Sequence, residues 1–230
     1  MHFRTSVLGA ASVFALSAAT HASVIRVTEV MSKSGADDPT RDWFEITNYG
    51  SSAVDLTGWK MDDNSFSFAA GAVLQGIGSI AAGETVILLE VDRNNTPSGQ
   101  AQEVVDFRAF WGGLAGVRIG TYAASGVSFS SGGDAVALFN AAGTEMTRVS
   151  FGAATSARSF YWGWDALGGV LPAYNGLVSS VGTLDGQVTF LSVGAGEDGV
   201  NVGSLGTAII PTPGPVALLA LAGVMARRRK

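Results

Sequence analysis

The sequence predicts an all-β protein whose strands pack as a β-sandwich. Between the two termini, short apolar runs alternate with Gly, Asn, Asp and Ser, and no ten-residue stretch shows the apolar period of a helix. Runs of this length, separated by turns at this spacing, are typical of sandwiches.

The individual strands are short runs bounded by turn residues. The segment Ala81–Glu84 turns the chain before a strongly apolar strand, and the Gly-bearing loop Asn140–Glu145 joins two strands as a hairpin does. From Ala153 to Gly186 we expect a long, partly irregular excursion packed on the sandwich. The predicted strands are Val24–Met31, Trp43–Tyr49, Glu84–Val91, Asp134–Asn140, Thr147–Phe151 and Gln187–Val193.

The N-terminus has the three parts of a secretory signal peptide. A basic start at Arg4 precedes the apolar run Val7–Ala19, and small residues follow at Thr20 and Ala22. This order predicts a signal helix that is removed by cleavage after Ala22. The alternative is an ordinary first helix of the fold.

The charge is distributed unevenly along the chain. Five of the 14 basic residues, Arg4 and the block Arg227–Lys230, lie at the termini, which leaves nine against 19 acidic residues between them and a net charge of −10. Such a surface repels nucleic acid and anionic lipid, and it attracts cations or basic partners. We therefore expect no nucleic-acid partner.

Histidine and cysteine are missing from the expected mature chain. The histidines are His2 and His21, both within the predicted signal peptide, and the sequence contains no cysteine. Without imidazole or thiolate, a Ser-His-Asp or Cys-His catalytic system and a His- or Cys-ligated metal site are excluded. Disulfides are excluded as well, so the core alone must stabilise the fold.

Two carboxylates within apolar strands are the candidates for catalysis. In a strand of period two, Glu29 shares a face with Ile25 and Val27, so we expect it to be shielded from water. Together with Glu45 it could hydrolyse a glycosidic bond if about 5 to 10 Å separated the two groups in an open cleft. The favoured alternative is structural: both are strand-end residues satisfied by backbone N–H groups or by an arginine such as Arg26 or Arg41.

The tryptophans divide into two groups. Trp43 lies in a strand and Trp59 follows a glycine turn, and both positions indicate core residues because an indole buries a large apolar area. The four aromatics of Phe160–Trp164 cannot all point inward from one regular strand. This cluster is therefore an alternative stacking surface for a polysaccharide.

Two further patterns are weak. The acidic groups Asp37–Asp42 and Asp62–Asn64 could bind calcium through oxygen ligands, but neither has EF-hand spacing, so solvated loop charge is the better interpretation. The loop Gly194–Gly199 fits G-x-G-x-x-G, but no helix follows it and its own acids would repel a pyrophosphate. We expect no cofactor and no resident metal, with calcium as the alternative.

The segment Val24–Asp63 resembles the start of a lamin-tail domain, in a resemblance that extends to Gly152. Its features are a first strand with the acidic residue Glu29, the strand DWFEITNYG (Asp42–Gly50) and the turn VDLTGWKMDD (Val54–Asp63). Downstream, IAAGETVIL (Ile80–Leu88) is similar to the family's turn before an apolar strand, with Ala82 where proline is usual. The segment Ser130–Gly152 resembles its closing hairpin. The resemblance implies an immunoglobulin-like β-sandwich that serves as a binding or structural module, and bacterial proteins of this kind are usually exported.

The C-terminal tail is apolar, short and framed by proline and arginine. Its apolar run Val216–Ala226 would span about 16 Å as a helix, against about 30 Å of hydrocarbon core, so a lasting anchor is disfavoured. An apolar surface on every side disfavours a core helix. A basic block at the terminus stays on the cytoplasmic side of a membrane.

This order of proline motif, apolar segment and basic block resembles the PEP-CTERM sorting signal of bacteria with exosortase systems. Thr212 stands where that motif usually has an acid. The resemblance implies transient membrane contact and cutting near the prolines by a sorting protease of the exosortase type. The residues of this predicted signal are Pro211, Thr212, Pro213, Gly214, Arg227, Arg228, Arg229 and Lys230.

The predicted organisation has four parts: a signal peptide (1–22), a lamin-tail-like β-sandwich (23–152), a Gly- and aromatic-rich extension (153–208) and a sorting signal with a short apolar helix (209–230). The function we expect is that of an exported, non-enzymatic cell-surface or extracellular-matrix protein. The alternatives are a polysaccharide- or calcium-binding module and a carboxylate-based hydrolase.

Overall fold

The computed structural model describes residues 25–35, 42–91, 95–112, 114–123, 127–165, 168–180, 183–184, 187–188, 190–196 and 199–209. The predicted signal helix and the predicted C-terminal apolar helix lie outside these residues. The strands and the helix are β1 Ile25–Met31, β2 Trp43–Asn48, β3 Val54–Asp55, β4 Lys60–Asp62, β5 Ala72–Gln75, β6 Ser79–Ile80, β7 Thr85–Val91, α1 Pro97–Trp111, β8 Arg118–Ala123, β9 Asp134–Phe139, β10 Glu145–Phe151, β11 Phe160–Trp164, β12 Val170–Val178, β13 Thr183–Leu184, β14 Gln187–Val188, β15 Phe190–Gly196 and β16 Gly199–Gly203.

Ten strands form one continuous sheet in the order β10-β9-β4-β5-β8-β7-β2-β1-β11-β12. Only β7 and β8 are parallel neighbours in this sheet, and the other pairs are antiparallel. The sheet curls until β10 contacts β1 and β12 from the opposite end. The two halves of one sheet therefore form the layers of a sandwich, and the all-β prediction is confirmed.

The main core fills the space between these two layers. Trp59 lies there with 5% of its surface exposed, packed with Phe44 of β2 and Leu138 of β9. Gly58 has a φ of +74°, a conformation that favours glycine, and it makes the turn that brings Trp59 to the core. The tryptophan therefore lies inside the sandwich.

A helix lies on the outer face of the sheet, although the sequence predicted no helix between the two termini. Helix α1 begins after Thr96, whose side chain accepts a hydrogen bond from the Gly99 N–H, and it ends at Gly112. Its buried residues are Glu103, Phe107, Phe110 and Trp111. These residues have helical spacing and form the buried face of the helix. The buried face begins with a glutamate and is apolar only in its second half, so the sequence shows no clear apolar period of a helix.

The helix covers a second core on the outer face of the central strands. Trp43 of β2 packs edge-to-face against Phe107 and Trp111, with ring centroids 6.0 Å apart in each pair. Leu205, near the end of the described chain, completes this cluster. The central strands are therefore buried on both faces, which explains why all six residues of β2 are buried.

The region after Phe151 is more regular than the predicted excursion. Strands β11 and β12 extend the large sheet beyond β1, and β15 pairs with β16 as a hairpin. Two register shifts interrupt the pairing of β11 with β12, one on each side of Trp162. Such irregularities are β-bulges, which turn side chains away from strict alternation.

We predict that Trp59→Ala lowers the free energy of unfolding by about 3 to 5 kcal/mol, because it removes a large buried side chain and leaves a cavity. Chemical denaturation measures the change. Val105→Ala is the control, since Val105 is 57% exposed on α1 and its truncation costs little. Equal stability of the Trp59 variant and the parent would contradict the core position.

Candidate functional site: a buried carboxyl pair

Glu29 and Glu45, hereafter the carboxyl pair, are direct partners in the antiparallel register of β1 and β2. The register shifts between Val27 and Glu29, which marks a bulge at Thr28. The expectation that Glu29 shares a face with Val27 is therefore wrong: Val27 lies in the core between the layers, while Glu29 pairs with Glu45. The expectation that Glu29 is shielded from water agrees with its exposure of 0%.

Glu29 accepts three hydrogen bonds from two distant parts of the chain. Its Oε1 accepts from the Ser159 hydroxyl at 2.5 Å and from the Ser204 N–H at 2.7 Å. Its Oε2 accepts from the Ser204 hydroxyl at 2.9 Å. Ser159 precedes β11 and Ser204 follows β16, so this carboxyl joins β1 to both. Buried carboxylates need such donors to offset the loss of water.

Glu45 has a different environment of hydroxyl and backbone groups. Its Oε1 accepts from the Thr28 hydroxyl at 2.6 Å, and its Oε2 accepts from the Gly206 N–H at 2.5 Å. The Thr28 hydroxyl also lies 3.2 Å from that of Thr47, which lies 2.9 Å from that of Thr85. A row of three threonine hydroxyls therefore leads from Glu45 across β1, β2 and β7.

Burial controls the ionisation of the pair. It raises the pKa of Glu29 from 4.5 to about 7, although the bonds from Ser159 and Ser204 act in the opposite direction. Burial also raises the pKa of Glu45 well above its ordinary value, and the nearby charge of Glu29 raises it further. Because the groups interact, their protons are released in two steps that belong to the pair.

Backbone N–H groups donate hydrogen bonds to both carboxyls, as expected, but Arg26 does not bind either of them. Its guanidinium donates to the carbonyl oxygens of Ile25, Met146 and Gly168 and lies 5.2 Å from the Trp164 ring centroid. Serine and threonine hydroxyls take the place of a cation. These partners were missed because Ser159 and Ser204 stand 130 and 175 positions from Glu29 and no local pattern marks them.

The arrangement does not fit glycoside hydrolysis. That reaction needs two carboxyl groups in a cleft that admits a sugar and a water molecule. Here both carboxyls are 0% exposed, and the chain from Gly203 to Gly206 lies directly on them. The arrangement brings donors from distant segments to two carboxyl groups whose pKa values are raised by burial.

The aromatic cluster is not a stacking surface, because Phe160, Tyr161, Trp162 and Trp164 are each at most 5% exposed. A regular strand that is covered on one face could not bury all four of these aromatic side chains. The bulges around Trp162 and the cover on both faces remove that restriction, and the Trp164 Nε1–H donates to the Val27 carbonyl oxygen at 2.8 Å.

The acidic groups considered for calcium are used within the fold. Asp62 Oδ2 accepts from the Ser65 hydroxyl and the Ser67 N–H, and Asp63 Oδ1 accepts from the Ser65 N–H. Asp42 accepts from the Phe129 N–H, whereas Asp37 and Asp38 lie outside the described residues. In the described part of the chain, no three His, Cys, Asp or Glu side chains are grouped to hold a metal ion.

The other predicted features lie in varied places. Trp43 is fully buried against α1, and the G-x-G-x-x-G loop spans the end of β15 and the start of β16, a hairpin rather than a strand-to-helix turn. The cleavage residue Ala22 and the sorting residues Pro211, Thr212, Pro213, Gly214, Arg227, Arg228, Arg229 and Lys230 lie outside the described residues. No helix within the described ranges is long and apolar enough to cross a membrane.

A pocket of about 230 Å³ lies between α1 and β8. Pro97, Ala101, Val104 and Ile119 form its apolar walls. The Thr121 hydroxyl is the polar group on its β8 side and has no hydrogen-bond partner. The lining contains no ionisable side chain, so this pocket offers no acid or base for catalysis.

The curled sheet, with two layers of antiparallel strands around one core, places the protein among the β-sandwiches of immunoglobulin type. The family model of the Lamin Tail Domain matches residues 18–153, more than half of the chain. The chain therefore belongs to the lamin tail domain family, a family of non-enzymatic immunoglobulin-like domains. A search of curated proteins finds no match to the sequence.

We predict that the folded protein loses stability as the pH rises. Between pH 4.5 and about 7 the folded chain binds more protons than the unfolded chain, because burial raises the pKa of Glu29, so the free energy of unfolding falls with pH. Glu29→Gln should reduce this fall by about 3 kcal/mol. Urea denaturation across this range measures it.

The control for that experiment is Glu145→Gln, which neutralises an exposed glutamate paired with Arg148 and should leave the pH dependence unchanged. If Glu29→Gln unfolds with the same pH dependence as the parent, Glu29 does not bind the extra proton.

We also predict that a chelator leaves the thermal midpoint of the protein unchanged, because Asp42, Asp62 and Asp63 each already accept a protein hydrogen bond. Thermal denaturation with and without chelator, and with added calcium, is the measurement. A ligand that binds only the folded state raises the midpoint, so a large fall on chelation would show a structural ion.

Proposed function

We propose that this chain is an exported, non-enzymatic protein of the cell surface or extracellular matrix that acts as a structural or binding module. The proposal that the protein is not an enzyme rests on the complete burial of Glu29 and Glu45, the two carboxylates that the sequence suggested for catalysis. Membership of a non-enzymatic domain family supports the same conclusion.

The proposal of export is supported by the two ends of the sequence. The segment before Ala22 has the basic, apolar and small-residue parts of a signal peptide. The tail has the proline motif, apolar run and basic block of a sorting signal. We propose that the tail contacts the membrane transiently with Arg227–Lys230 on the cytoplasmic side, and that an exosortase-type protease cuts it near Pro211–Pro213.

The fold is suited to work outside the cell without disulfides. Its two hydrophobic cores, one between the layers and one under α1, are the source of stability in a chain without cysteine. A domain that is stable through its own packing tolerates a compartment in which metal and redox conditions are not controlled.

A more specific alternative is that the protein is a binding module for a polysaccharide. The aromatic cluster no longer supports it, because its rings are buried. A glycan array probed with the purified protein tests it, and specific retention of one glycan class would make the protein a polysaccharide-binding module.

We predict that the protein recovered from outside the cell lacks both termini, beginning after Ala22 and ending near Pro211–Pro213. Mass spectrometry of the intact protein measures both ends. Replacing Arg227, Arg228, Arg229 and Lys230 together with Ser should stall processing, because the orienting charge is lost, and should leave the thermal midpoint unchanged. An extracellular protein that still ends in Lys230 would contradict the processing proposal.

A further inference from the structure

The C-terminal segment, residues 199–209, closes over the carboxyl pair. Its Ser204 donates two hydrogen bonds to Glu29, and its Gly206 N–H donates one to Glu45. The Tyr49 hydroxyl donates to the Ile209 carbonyl oxygen at 2.9 Å and fixes the end of the segment beside β2. Three of the five hydrogen bonds to the carboxyl pair therefore come from this one segment.

The segment fits the pair so closely that water is excluded. A Cβ atom at Gly203 would lie 2.8 Å from Glu29 Oε1 and 2.7 Å from Leu205 Cδ1, so a larger residue there would force these two side chains to shift. Ser204 and Leu205 are both 0% exposed. Any water that solvates the two carboxyls must first displace this backbone.

The hydrogen bonds indicate where a single proton lies. Glu29 accepts from two hydroxyls and one N–H, a donor set that suits a carboxylate. Glu45 Oε1 faces the Thr28 hydroxyl, which can reverse and accept a proton because it can donate in turn to Thr47. Glu45 Oε2 keeps its bond from the Gly206 N–H in either state. The Ser159 hydroxyl could reverse likewise, since Ser179 Oγ lies 2.6 Å from it. With three donors against two, Glu29 is nevertheless the better site for a negative charge, so Glu45 is favoured as the carrier when the pair holds a single proton.

We propose that the carboxyl pair is a proton-dependent clasp, which holds the C-terminal segment on the sheet while Glu45 carries a proton and releases it when both carboxyls are ionised. Two adjacent negative charges without a cation are unfavourable in a dry interior. Opening the C-terminal segment admits water to both carboxyls while the sandwich core remains folded.

The surrounding charged groups do not neutralise the second charge. Arg26 of β1 binds carbonyl oxygens, Arg108 of α1 binds the carbonyl oxygens of Leu114 and Val117, and Arg118 of β8 pairs with Glu84. Within the described ranges, no Lys or Arg donates to Glu29 or Glu45. Other ionisable groups on these elements or beside their ends include Tyr49, Glu90, Glu103, Asp106, Tyr122, Arg158, Tyr161 and Asp165.

Of these groups, Tyr49 is affected by the charge of the pair. Burial raises the pKa of the Tyr49 hydroxyl and the charge of Glu45 raises it further, so Tyr49 stays protonated and keeps its bond to Ile209. This tyrosine therefore adds no further negative charge, and the pH response of the clasp comes from its two carboxyls.

The sign of the pH effect follows from proton binding. The closed state binds protons that the open state releases, because the pKa of Glu29 is raised to about 7 and that of Glu45 lies well above 4.5. The opening equilibrium constant of the C-terminal segment therefore increases with pH from 4.5 upward, by about tenfold per pH unit for each proton released. Opening stops responding to pH once both carboxyls are ionised in the closed state.

Hydrogen–deuterium exchange of the full chain tests the clasp. Protection factors, corrected for intrinsic exchange, are compared between about pH 5 and about pH 8 for the C-terminal segment and for β9 in the sandwich core. We expect the segment to be less protected than β9 at each pH and to lose at least about tenfold in protection over this range. Equal protection of the two regions at every pH would overturn the proposal, since the segment would then open only with the whole domain.

The variant Glu45→Gln mimics the protonated side chain, since its amide can donate to Thr28 while its oxygen accepts from Gly206. We expect it to hold the segment closed and to reduce the loss of protection, leaving only the part that comes from the ionisation of Glu29. Glu29→Gln removes the other charge and should act in the same direction, and Glu145→Gln is the charge control. An undiminished loss in both clasp variants would overturn the assignment to this pair.

Infrared spectroscopy of the parent protein provides a test that needs no folded variant. A protonated carboxyl has a C=O stretching band distinct from that of a carboxylate. We expect one such band near neutral pH that disappears as the pH is raised, together with the protection of the C-terminal segment. Its absence near neutral pH would show that both carboxyls are ionised in the closed state, and the proposal would be wrong.

Discussion

Two carboxyl groups without a cation, placed where water cannot reach them, are the constraint around which this structure is organised. Each buried carboxyl oxygen needs a donor, and the neighbouring strands use their own N–H groups in the sheet. The donors must therefore come from side chains of β1 and from segments much later in the sequence. The chain before β11 and the chain after β16 both return to the same place on the outer face and supply them.

The same return of the chain completes the second core. Leu205 lies between two residues that bond the carboxyl pair, Ser204 and Gly206, and it packs with Trp111 and the rest of the cluster under α1. Three consecutive residues therefore both donate hydrogen bonds to the buried carboxyls and complete the apolar core under α1. A change that loosens one loosens the other, because buried polar networks lose much of their benefit when they are only partly satisfied.

Much of the sandwich could be predicted from sequence because its signals are local. The turn at Gly58 and the alternation of the strands indicate where Trp59 lies, and the hairpin at Asn140–Glu145 is readable from its glycine. Helix α1 was missed because its buried stripe begins with Glu103. Its capping signals, Thr96 before Pro97 and Gly112 at its end, are local too and could have revealed it.

The candidate site could be predicted only in part. Glu29 was correctly expected to be shielded from water, but a single-residue bulge at Thr28 places it on the face opposite to the one expected. The burial of Glu45 was not predicted. Their partners could not be foreseen, since Ser159, Ser204 and Gly206 stand in glycine- and serine-rich stretches without a periodic pattern. Which serine meets which carboxyl is decided by the path of the whole chain.

The separation between Glu29 and Ser204, 175 positions, has a consequence for the order of folding. A contact between such distant residues closes a long loop, whose entropy cost must be met by contacts already formed. The clasp and Leu205 cannot take their places until almost the whole described chain has been synthesised. A growing chain therefore leaves the outer face of its central strands, including two ionisable groups, open to water until the residues up to Gly206 have been added.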